Sequence, residues 1–98
     1  MFARVAVYEI PGHRMHEAIE SFRGAIAEIS EMHPEEVLVL VSPEGNRALT
    51  MSLWERQGAM EASRMTATRL RTDAAQSVGG SVQSVVEYEV AIRETVGS

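Results

Sequence analysis

Apolar and polar positions change period several times along this chain, and each change marks an element. Phe2 to Ile10 is rich in valine and aromatics and is closed by Pro11-Gly12, the punctuation of a turn, which predicts a first strand. From about His13 to Met32, the residues Met15, Ala18, Ile19, Phe22, Ala25, Ile26 and Ile29 recur at the three-and-four spacing of one helix face. Glu17, Glu20, Arg23 and Glu28 fill the rest of that helix, and Pro34 ends it because its ring disfavours helical geometry at His33.

Glu36 to Val41 reads as a second strand, and the cluster Ser42-Pro43-Glu44-Gly45-Asn46 supplies the turn chemistry of a hairpin. The third strand, Arg47 to Glu55, alternates cleanly. Leu49, Met51 and Leu53 fall on one side, and Ala48, Thr50, Ser52 and Trp54 on the other. The uniformly apolar side is expected to meet the helices. A second helix spans about Gln57 to Val78, with Met60, Ser63, Ala67, Leu70 and Ala74 tracing a narrow stripe, and Gly79-Gly80 stop it. Ser81 to Glu94 alternates again as a long last strand.

Strand, helix, two hairpin-linked strands, helix, strand is the order of a ferredoxin-like βαββαβ unit, an α+β fold with an antiparallel sheet and both helices on one face. The other face, expected to carry Trp54, Tyr8 and Ala6, stays open unless something covers it. A partly apolar open face predicts a homodimer formed through it.

The 98 residues suit a single domain over 1–98. With no cysteine, thiolate metal sites, iron–sulfur clusters and cysteine nucleophiles are excluded. A net charge of −5 with acids and bases interspersed offers no footprint for phosphate backbones, so nucleic acid is not an expected partner. The start MFARVAVYEIPG lacks the charged region of a signal peptide, and no stretch approaches the roughly 20 apolar residues of a membrane span. A cytoplasmic protein with no membrane partner is the expectation.

The strand FARVAVYEI, the strand ending ALTMSLWE and the helix AMEASRMTATRLR, in this order, resemble the antibiotic biosynthesis monooxygenase-like family of dimeric α+β barrels. The most specific piece is Trp54-Glu55 closing the third strand, followed by a helix opening with Ala59, Met60 and Ser63. The resemblance implies a homodimer enclosing a cavity. Some members oxidise polyketide-derived phenols to quinones without metal or flavin, and others degrade haem. The chain departs from the haem-degrading pattern, having no histidine in the second helix and no asparagine in the first strand. Its one asparagine, Asn46, sits in the hairpin turn, so the pocket asparagine of quinone-forming members is missing or displaced.

The pocket candidates are Trp54, Tyr8, Arg4, Ser52 and Thr50, with no catalytic residue assigned. Trp54 matches a tryptophan that lines the pocket in the oxygenases, or else fills the dimer core. Tyr8 offers a hydroxyl to a ligand, or only packs its ring. Arg4 shares that face and suits a carboxylate or phenolate, or pairs across strands with Glu87 or Glu89. His13 and His16 lie four residues before Glu17 and Glu20 without a third convergent ligand, so no metal site is expected, nor any cofactor. The resemblance implies a cofactor-independent monooxygenase acting on a small aromatic or polyketide-like molecule. The alternative is a non-catalytic homodimer that binds a small apolar molecule or serves as a scaffold.

Overall fold

The computed structural model describes residues 1–42 and 44–97; Pro43, part of the expected hairpin turn, lies outside them. In chain order the elements are β1 (Phe2–Glu9), α1 (Met15–Ile29), β2 (Glu36–Val41), β3 (Arg47–Trp54), α2 (Gln57–Ala62), α3 (Arg64–Gln76) and β4 (Ser81–Glu89). The four strands form one antiparallel sheet in the order β2-β3-β1-β4, which is the ferredoxin-like α+β arrangement.

Three boundaries differ from the sequence reading, each for a local reason. The first helix is shorter than 13–32, because single 3-10 turns at Gly12–Arg14 and Ser30–Met32 flank α1 and His33 turns left-handed with φ 60°. The second helix is two helices broken at Ser63. There the carbonyl of Met60 accepts the Ser63 hydroxyl at 2.7 Å and the Arg4 guanidinium at 2.8 Å, which displaces the next helical N–H. The last strand ends at Glu89 instead of Glu94, because its neighbour β1 begins at Phe2, opposite Glu89. One further ladder bond, from Val90 N–H to the Met1 carbonyl at 2.9 Å, closes that edge.

The larger correction concerns the faces of the sheet. Reading the strand pairs across it, Val37–Ser52–Arg4–Glu87, Val39–Thr50–Ala6–Val85 and Val41–Ala48–Tyr8–Val82 are rows of one face. Leu38–Met51–Val5–Val86, Leu40–Leu49–Val7–Ser84 and Glu36–Leu53–Ala3–Tyr88 are rows of the other. Ala6, Tyr8 and Ala48 pack with Ala18 and Phe22 of α1 and Ala74 and Ala75 of α3, and Trp54 packs with Ile29, Met60 and Leu70. Tyr8, Ala6 and Trp54 therefore lie beneath the helices, not on the open face. The face with Leu49 and Met51 is the open one. Alternation separates two sets of side chains but does not say which set the helices cover, and a wrong choice inverts every residue. Alanines on the covered face let the helices approach, and the polar side chains among them are satisfied by one another.

The turn into β4 is the tightest point of the fold. Gly79 has φ +71°, the left-handed residue after a helix, and a Cβ on Gly80 would lie 2.7 Å from the Glu9 carbonyl oxygen and 2.6 Å from Ile10 Cδ1. Gly80→Ala should cost about 1–3 kcal/mol in urea unfolding, since the backbone must shift. Gly24→Ala, on the exposed side of α1 with nothing within 4 Å of the added carbon, should be neutral or stabilise by up to about 1 kcal/mol.

Candidate functional site

Between the sheet and the two longer helices lies a cavity of about 70 Å³, partly open to solvent. That is room for several waters, on the scale of one substituted ring. The sheet supplies its polar floor, Arg4, Tyr8, Thr50 and Ser52, and Val37 extends it. From α1 come Phe22, Ala25, Ile26 and Ile29, and from α3 come Ala67, Leu70 and Arg71. Four of the five residues singled out from the sequence thus share one cavity. Trp54 does not line it. Fully buried, it donates from Nε1 to Ser52 Oγ at 2.9 Å and so fixes the hydroxyl that does.

Arg4 is 4% exposed and held from three directions. Its Nη1 donates to Ser63 Oγ at 3.0 Å and its Nη2 to the Met60 carbonyl. Nε and Nη2 both donate to Glu87 Oε2, at 3.2 and 3.0 Å. Glu87 stands directly across the strands from Arg4, so the cross-strand pair expected from the sequence forms. The same carboxylate accepts from Arg64 of α3, whose Nε lies 3.0 Å from Oε2 and whose Nη2 bonds Oε1. Arg64 first, then Arg4, hold the Glu87 carboxyl below the usual carboxylate range against the opposing effect of burial.

Tyr8 rests its ring on Phe22, with centroids 4.8 Å apart and a tilt of 57°. Its hydroxyl is 2.8 Å from Thr50 Oγ1. Burial pushes the Tyr8 phenol up, and the Thr50 hydrogen bond and the Arg71 charge offset this only in part, so the phenol stays neutral at ordinary pH. Arg71 was not legible as a site residue, although it falls four residues after Ala67 and so flanks the buried stripe of α3. Half-buried, it has no carboxylate within ion-pair distance among the described residues, and its one side-chain hydrogen bond runs to Thr68 at 3.3 Å. Burial lowers its pKa, but an arginine so shifted remains a cation.

The carboxylates four residues after His13 and His16 are paired with arginines. Glu17 pairs with Arg14 at 2.8 Å and Glu20 with Arg23 at 3.5 Å, and among the described residues no three histidine or carboxylate side chains converge as a metal site would require.

Two predictions follow from the Arg4 network. Arg4→Met removes all four of the hydrogen bonds that Arg4 makes and leaves Glu87 paired with Arg64 alone, and should cost about 3 kcal/mol in chemical unfolding. Because the Glu87 carboxyl titrates lower in the folded than in the unfolded chain, its stabilisation is fully present above the ordinary carboxylate range. It is lost as pH falls through the folded-state value. Urea midpoints measured from neutral pH downward should fall more steeply for the native chain than for Glu87→Gln.

Neither a protein-family model nor a curated protein sequence matches the chain. Solved structures do match it. A candidate antibiotic biosynthesis monooxygenase from Deinococcus radiodurans superposes over the whole of both chains with a TM-score of 0.78 at 13% identity. A protein of the same description from Chloroflexus aurantiacus covers 98% of each chain with a TM-score of 0.70 at 8% identity. One from Nitrosomonas europaea covers 94% of this chain and 100% of its own, with a TM-score of 0.67 at 11% identity. At such identities the likeness is one of fold. The chain has the ferredoxin-like α+β fold of solved proteins named as antibiotic biosynthesis monooxygenases, the name to which its sequence resemblance points.

Proposed function

We propose that this protein is a homodimeric monooxygenase that needs no metal or flavin and acts on a small phenol held in the cavity beneath the helices. One observation carries the reading: in a fold shared with proteins named as monooxygenases, an apolar cavity of ring size brings a phenol hydroxyl, two alcohols and a cation to one floor. The reaction is balanced without a reductant. A phenol with a free para position and one O2 give a para-quinone and one water, one oxygen atom entering the ring and the substrate supplying every electron. In such chemistry the protein's tasks are to bind and orient the ring, exclude bulk water, and stabilise negative charge as dioxygen is reduced. Phe22, Ile26 and Leu70 suit the first two tasks, and Arg71 with the Tyr8–Thr50 pair the third.

A second reading is favoured by one feature of the same cavity. No carboxylate and no imidazole lines it, so no ordinary general base is placed there. A non-catalytic binding protein needs none.

The dimer belongs to the same proposal. The open face carries no charge in its two rows Leu38–Met51–Val5–Val86 and Leu40–Leu49–Val7–Ser84, in a chain whose net charge is −5. Leu40 is 47% exposed, Val86 42% and Tyr88 53%. A second copy is the partner such a face fits, because two uncharged sheets meet without the repulsion that the rest of the acidic surface would bring.

Oxygen uptake and product absorbance with a panel of phenols and hydroquinones test the activity. One O2 should be consumed per quinone formed, and Ala67→Phe, which fills the cavity without touching its polar groups, should abolish turnover. Ligands that raise the melting temperature while consuming no oxygen would favour the binding protein. Sedimentation should give twice the 10.8 kDa chain mass, and Met51→Glu should give the single chain mass. A native chain that sediments as a monomer at all concentrations would remove the dimer from the proposal.

A further inference from the structure

The polar groups of the cavity are unequal in what they can still bond. Arg4 makes four hydrogen bonds with its five donors, and its charge is matched by Glu87. Ser52 Oγ accepts from the Trp54 indole, so its own hydrogen remains available to donate. Of the two hydroxyls of Tyr8 and Thr50, one donates to the other, leaving one hydrogen free. Arg71 has most of its donors unused and no carboxylate beside it among the described residues. The lining contains no aspartate, glutamate, histidine, asparagine or glutamine. What the floor offers is therefore free donors and positive charge, and the hydroxyl oxygens of Tyr8, Thr50 and Ser52 are its side-chain acceptors for a ligand's own N–H or O–H.

The charges about the cavity tell the same story. Arg4 and Arg71 line it, and Glu87, outside the lining, is the carboxylate that Arg4 shares with the exposed Arg64. An acidic chain has placed two guanidinium groups in the lining of this apolar cavity.

We infer that this cavity selects its ligand by charge, taking a small ring that carries an ionised oxygen, phenolate or carboxylate, with Arg71 as the residue that reads the charge. Arg71 pairs with the anion, Ser52 and the Tyr8–Thr50 pair donate to its remaining lone pairs, and the apolar wall of α1 covers the ring. Arg4 takes no direct part in this pairing, since its guanidinium is already committed to Glu87, Ser63 and Met60 and holds the floor in place. The inference rests on the cavity identified above as the site, and it supplies what that reading lacked: a ligand that arrives already ionised needs no base from the protein.

Trp54 is the only tryptophan, and its indole is bonded to a residue of the lining, so its fluorescence reports occupancy. The probes are 4-nitrophenol, which is coloured as its phenolate, its neutral methyl ether 4-nitroanisole, and 4-nitrobenzoate as the carboxylate arm. Titrated into the full chain at fixed neutral pH, 4-nitrophenol should bind about tenfold or more tighter than 4-nitroanisole, and its phenolate band should grow on binding. Arg71→Met should remove that preference and the added colour by weakening 4-nitrophenol far more than 4-nitroanisole, and Arg71→Lys should restore part of it. Unfolding midpoints of the Arg71 variants near that of the native chain separate this loss from misfolding.

Tight 4-nitrobenzoate with weak 4-nitrophenol supports the charge reading and assigns the ligand as a carboxylic acid, against a phenol oxygenase. Anion binding with no oxygen consumed by any phenol likewise keeps this inference while the monooxygenase falls. Failure of both 4-nitrophenol and 4-nitrobenzoate to bind tighter than 4-nitroanisole, a preference that survives Arg71→Met, or no binding of any probe would overturn it, and oxygen uptake with a neutral substrate would do so while leaving the monooxygenase standing.

Discussion

A charged guanidinium under the middle of a sheet is the constraint around which the rest of this structure is arranged. Arg4 enters β1 on the covered side, where it cannot stay unless its charge is met and its donors are satisfied. Glu87 opposite it on β4 meets the charge. The Met60 carbonyl and the Ser63 hydroxyl complete the shell, and the same two groups break the second helical segment into α2 and α3. A single ion pair, buried at Arg4 and half-buried at Glu87, thus ties together the central strand, the edge strand and the helix break.

That arrangement also shapes the site. Because Arg4 is spent on structure, the lining cation without a carboxylate partner among the described residues is Arg71 on α3, which shares the cavity with hydroxyls that are themselves partly paired. The covered face of the sheet combines small residues, which admit the helices, with polar ones, which line the space the helices leave. The opposite face is simpler, broad and uncharged along its middle rows. The division of labour between the two faces is the reverse of what apolar content alone suggests.

Much of the fold was legible in the chain. The period of Met15 to Ile29, the alternation of Ala48 to Trp54 and the glycine pair after the second helical segment each place an element, and the element order dictates the sheet. A cross-strand partner for Arg4 was legible as Glu87 or Glu89, because antiparallel strands fix their neighbours, and the register selects Glu87. What was not legible was which face turns inward, since period 2 is blind to that choice. Reading Leu49 and Met51 as helix-facing placed Trp54 and Tyr8 on the wrong side, although Arg4, Tyr8, Thr50 and Ser52 stayed together because they share a face either way. The break at Ser63 and the place of Arg71 depend on tertiary partners that a helical stripe does not reveal.

We place the ligand beneath the helices, held at Arg71, and not against the open sheet. A crystal structure of the protein grown with a brominated phenol tests this directly, because the anomalous signal of bromine locates the ring without interpretation of weak density. A peak is expected in the cavity roofed by Phe22 and Leu70, with the phenol oxygen within hydrogen-bond distance of Arg71 or Ser52. A peak lying against Leu40 and Met51, with the cavity beneath the helices unaltered, would contradict it.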